Sequence, residues 1–109
     1  MKRGDVVLAA AGGDYGKPRP WVVVQSDLFL DDGYPSVTLC PITTFDGNEK
    51  DFRVKIEASR ENGLRKPSII MTDKTQSVDM VRVRARIGTV DRDVLRSLDT
   101  ALRVWLGLA

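Results

Sequence analysis

The 109-residue sequence predicts a mainly β domain, an antiparallel meander or small barrel finished by one C-terminal α-helix. Two observations carry that class. Short runs rich in Val, Ile, Leu and Thr follow one another through most of the chain, separated by Gly, Pro, Asp and Asn and never by a helical stretch. From residue 91 the hydrophobic period lengthens to about 3.6 residues, the repeat of an amphipathic helix. A chain of this length makes one domain, 1–109, with a modest core.

The elements follow in order. "DVVLAAA" is the first strand; its charged start and an apolar stretch broken by Asp5 fit a strand better than a signal peptide. The Gly/Pro-rich "GGDYGKPRP" leads into "WVVVQS", and "LDDGYP" turns the chain into "SVTLCPITT". After "FDGNEK" come "DFRVKIE", "KPSIIMTD" and "SVDMVRVRARIG". In the last of these, Val81, Val83, Ala85 and Ile87 alternate with Arg82, Arg84 and Arg86, which predicts one core face and one wet, cationic face. The helix, "DRDVLRSLDTALRVWLGLA", aligns Val94, Leu95, Leu98, Ala101, Leu102, Trp105 and Leu106 on one stripe. Asp91 serves as N-cap, Asp93 sits near the positive end of the helix dipole, Asp99 and Arg103 have ion-pair spacing, and Gly107 is the stop. Trp105 and Leu106 are expected in the core or against a second subunit.

Composition narrows function by exclusion. With 42% hydrophobic and 29% charged residues, the chain has the balance of a soluble globular protein. No apolar run reaches the roughly 20 residues that span a bilayer. The single cysteine, Cys40, permits no internal disulfide and fits a reducing cytoplasm. There is no histidine, which removes His-based acid–base chemistry, Ser–His and Cys–His pairs and His-ligated metals. A net charge of +2 does not by itself imply a nucleic-acid partner, and the basic clusters also read as solvated surface.

Several residues are candidates for chemistry. Pro18 and Pro20 bracket Arg19, and Pro20 pushes it toward extended geometry. A guanidinium preset in this way suits a phosphate; the same sequence also describes a surface arginine at the mouth of an edge strand. Thr43 and Thr44 end a strand, either for their β propensity or as hydroxyl donors to a phosphate oxygen. Asp73, at the end of "SIIMTD", either turns the chain or, beside Arg19, acts as a general base or fixes the guanidinium. Tyr15 is the aromatic residue best placed to stack on an unpaired base, whereas Trp21 opens a strand and belongs in the core. Cys40 reads as a small buried hydrophobe.

In that order, "RGDVVLA", "RPWVVVQSD", "VTLCPITT", "SIIMTDKTQSVD" and the terminal helix resemble the MazF/PemK family of bacterial toxins, over roughly residues 2–108. The resemblance implies a small SH3-like antiparallel β-barrel with a C-terminal helix, a homodimer, and a metal-independent endoribonuclease that needs no cofactor. Its substrate would be single-stranded RNA, cut at short sequences, and a cognate antitoxin protein would block the site. The family's catalytic arginine falls on Arg19, its threonine on Thr43, and the acid carried by some members on Asp73. RNA contacts are expected from Tyr15, Lys17, Thr44, Lys74, Gln76 and Ser77. Met71 stands where some members place a second arginine, and Lys74, Thr75 and Gln76 replace the family's "Q-x-R". The implied reaction is attack of the RNA 2′-OH on the adjacent phosphate, with Arg19 and Thr43 stabilising the developing charge. Two alternatives remain open: a gyrase poison of the related CcdB type, acting through "ALRVWLGLA", and a non-catalytic SH3-like binding module.

Overall fold

The computed structural model describes residues 1–11, 17–30 and 33–109. The described residues form seven strands: β1 (Asp5–Ala9), β2 (Arg19–Val23), β3 (Ser36–Thr44), β4 (Val54–Ile56), β5 (Ser68–Ile70), β6 (Gln76–Asp79) and β7 (Val83–Thr89). One helix, α1 (Arg92–Leu106), follows. All pairings are antiparallel, in the order β4-β5-β3-β2-β1-β7, with β6 added on β3. The expected class is therefore present, but among the described residues no pairing joins β4 to β7. The sheet is open rather than a closed barrel.

β3 is the hinge of the sheet. Ser36–Leu39 pair with β6, Leu39–Pro41 with β2, and Ile42–Thr44 with β5. The change of partner falls at Pro41, which has no N–H to give to a ladder; its carbonyl accepts from Met71 N at 2.9 Å. The apolar run of β2 is buried on both faces, which explains why it does not alternate with polar residues. On one face Val6, Val22, Cys40, Ile42 and Ile70 pack with Leu98 and Ala101 of α1. On the other, Val7, Trp21, Val23, Val37, Leu39 and Val78 form a second cluster. Trp21 is core, as expected, and its indole N–H donates to the Ala9 carbonyl at 3.0 Å.

Four details depart from the sequence reading. Val81 is 88% exposed, because "SVDMVRVRARIG" is two strands divided by a 3-10 turn at Met80–Arg82. Register shifts between β1 and β7 break the alternation further, leaving Ala85 exposed between Arg84 and Arg86. In α1 the stripe is core only in its first half: Trp105 and Leu106 are 47% and 56% exposed, and the Trp105 ring lies tilted against Phe52, centroids 5.1 Å apart. Asp99 pairs with Arg3 at 2.7 Å, clamping the helix to the start of β1, instead of with Arg103. The caps are as expected. Asp91 Oδ1 accepts from Val94 N at 2.8 Å, and Gly107 ends the helix in the left-handed region at φ 69°.

Candidate active site

The site forms where the β2–β3 ladder stops. The pairs are Val23↔Leu39, Val22↔Cys40 and Trp21↔Pro41, and past Pro41 the third strand leaves to join β5. Continuing that register by two residues sets Arg19 against Thr43, across strands that have already diverged. The fork is a cleft of about 390 Å³ lined by Arg19, Pro20, Ile42, Thr43, Thr44 and Ser68, together with Gly63–Lys66 and Ile87. Arg19 is half-buried and paired through its backbone to Ala9 of β1. Thr43 and Thr44 are paired with Ile69 and Ser68 of β5, so both hydroxyl-bearing residues stand on ladder-held backbone. Two cations beyond Arg19 line the cleft, Arg65 and Lys66, and no acidic side chain does so among the described residues.

The loop that carries Arg65 and Lys66 is itself built. Asn62 is buried: its Oδ1 accepts from Ser59 N and Leu64 N, at 3.0 and 2.9 Å, and its Nδ2 donates to the Glu57 carbonyl at 2.8 Å. Gly63, at φ 72°, runs so close to β7 that a Cβ there would collide with the Ile87 carbonyl oxygen. Ser68 Oγ donates to the Lys66 carbonyl at 2.8 Å, and Phe45 N to the Pro67 carbonyl at 3.0 Å. Arg65 and Lys66 were missed by the sequence reading, yet a signal was present. "KP" in "LRKPSII" repeats the cation–proline pair of "RP" in "KPRPWVV".

The other expected residues scatter. Asp73 does not line the cleft; the expectation of a base beside Arg19 is corrected. It lies in a 3-10 turn after β5, and both its oxygens accept from Arg53, Oδ1 from Nε at 2.8 Å and Oδ2 from Nη2 at 2.7 Å. That bond holds the Asp73 carboxyl below its usual range and raises the Arg53 guanidinium. A carboxylate so held is a poor proton acceptor. Lys74 is exposed on the same turn. Gln76 and Ser77 are exposed on β6 and line a different depression with Ala11, Asp79 and Arg82. Lys17 is exposed just before Arg19, and Tyr15 lies outside the described residues. Cys40 is buried, its Sγ 3.0 Å from Thr75 Oγ1, and burial pushes its thiol up to about 11. Among the described residues no three His, Cys, Asp or Glu side chains group as metal ligands.

An open antiparallel sheet with a cationic, hydroxyl-edged fork at its split ladder defines a small β-protein whose cleft has the charge and donors to receive an anion. Known proteins make the class specific: the family described as PemK-like, MazF-like toxin of type II toxin-antitoxin system matches residues 2–106, and the chain belongs to it. It is 41% identical to the probable endoribonuclease MazF of Mycolicibacterium smegmatis, over 100% of this chain and 99% of that protein. It is 29% identical to endoribonuclease EndoA of Bacillus subtilis, over 99% and 96% of the two chains. A solved mycobacterial endoribonuclease in complex with its cognate antitoxin superposes with a TM-score of 0.82 at 19% identity, covering 100% of this chain and 97% of that one, which marks a shared fold.

Proposed function

We propose that this chain is an endoribonuclease toxin that cleaves single-stranded RNA at specific short sequences, without a metal, and is neutralised by a cognate antitoxin. The 2′-oxygen attacks the adjacent phosphorus, the P–O5′ bond breaks, and the products carry a 2′,3′-cyclic phosphate and a 5′-OH. The convergence of Arg19 with Thr43 and Thr44 in one fork carries this reading. Arg19 grips a non-bridging phosphate oxygen, and the Thr43 hydroxyl donates to the charge that grows on it, each worth roughly 10²–10³-fold. Thr44 and Lys17 extend the contact along the strand. DNA, lacking the 2′-OH, is spared. The named endoribonuclease relatives support the activity, and the antitoxin complex of a like-folded protein supports the partner.

The exposed end of α1, with Val104, Trp105, Leu106 and Leu108, is the apolar surface that a homodimer would cover. No helix among the described residues is long and apolar enough to cross a membrane, and the RNA substrate assigns the toxin to the cytoplasm. Incubating the protein with a long single-stranded RNA in EDTA, beside Arg19→Ala, tests the reading. Discrete fragments ending in cyclic phosphate from the unmodified protein alone are expected. Intact RNA across several diverse substrates would overturn it and turn attention to gyrase binding through the helix end.

A further inference from the structure

We infer that Arg65 and Lys66 form a second phosphate grip, which holds a nucleotide flanking the scissile step while Arg19 holds the scissile phosphate itself. The inference rests on the nuclease reading above and adds residues that the family motifs do not mark. One phosphodiester carries one negative charge, and Arg19 with Thr43 answers it. The cleft is nevertheless lined by two more cations and by no acid among its described lining. Neither takes part in an ion pair among the described residues. Both are exposed, and like charges gathered around one hollow draw an anion to it, which a strand with successive phosphates supplies.

The wall is held in shape before any ligand arrives. Lys66 precedes Pro67 as Arg19 precedes Pro20, so both cations stand on backbone restricted to extended geometry. Pro67 is tied to Phe45, the residue after Thr44, and Ser68 is paired with Thr44 itself. Lys66 is therefore tied to the threonines through the end of the β3–β5 ladder, two residues beyond the Thr44–Ser68 pair. Asn62 and the contact of Gly63 with β7 fix the other end of the same loop. A phosphate held there is bound equally in the ground and transition states, so this grip acts on binding rather than on the chemical step.

The experiment compares the native protein, Arg65→Ala/Lys66→Ala and Lys66→Gln, after thermal melts show that the variants fold. The first probe is a short RNA made uncleavable by a 2′-deoxy sugar at the cut site, bound over a range of salt. For single strands each phosphate neutralised contributes about 0.7 to the slope of log affinity against log salt, so the double variant, which gives up one phosphate, is expected to lose about 0.7. The second probe is kinetic. On long RNA the double variant raises KM several-fold with kcat unchanged; on a dinucleoside monophosphate, which has no flanking phosphate, it matches the native protein. An unchanged salt slope, or a fall in kcat like that of Arg19→Ala, overturns the inference while leaving the nuclease reading intact. If the native protein cuts no RNA, the nuclease reading falls and the salt slope alone decides the grip.

Discussion

Arg19 stands where it does because a proline follows it and because the strand opposite has changed partners at Pro41. The site then depends on single groups. Thr43→Val keeps the β-branched shape and removes the donor, so cleavage is expected to fall by about 10²–10³-fold with little change in melting temperature, measured on a defined RNA. Asp73 has a different job. Its bidentate bond to Arg53 ties the turn after β5 to the start of β4, and Asp73→Asn is expected to cost about 1.5–3 kcal/mol in chemical denaturation. Its pKa is lowered in the folded protein, so its stabilisation is complete above the ordinary carboxylate value of about 3.9. That stabilisation fades as pH falls below this value toward the folded one. Melts across acid pH should show that loss in the native protein and not in Asp73→Asn. The role was illegible because "SIIMTD" says only that an acid ends a strand, while its partner Arg53 lies 20 residues away across a loop.

At the scale of elements, the loop between β4 and β5 decides one wall of the cleft. Gly63 meets two demands at once, a positive φ and a backbone approach that leaves no room for a Cβ. Gly63→Ala is expected to destabilise by roughly 1–3 kcal/mol and to raise KM for RNA, because the loop must lift from β7 and carry Arg65 and Lys66 with it. Denaturation and initial-rate measurements check the two effects separately. In α1, Asp91→Ala removes the cap on Val94 N and should cost about 1 kcal/mol, read in the same denaturation assay. The caps were legible because they are local: one side chain and a backbone three residues on. The β7 alternation was not, because a 3-10 turn and bulges that answer to β1 change which residues face inward.

For the whole molecule, the open question of the apolar helix end becomes a matter of assembly. Trp105 rests on Phe52 but stays half exposed, beside Val104, Leu106 and Leu108. A surface of that kind is covered in a stable dimer. Light scattering after gel filtration should give twice the 12.1 kDa chain mass, and Trp105→Glu should halve it. Taken alone, the sequence determined the β class, the helix and its caps, and the pairing of arginine with threonine as candidates. All of these follow from local period, turn chemistry or short ordered motifs. Only the tertiary structure decided that the sheet stays open, that Asp73 belongs to Arg53, that half of the helix stripe is bare, and that Arg65 and Lys66 face the same fork as Arg19. Each of those outcomes depends on which distant strands pair and where a ladder ends, and a one-residue pattern carries no record of its partner across the sheet.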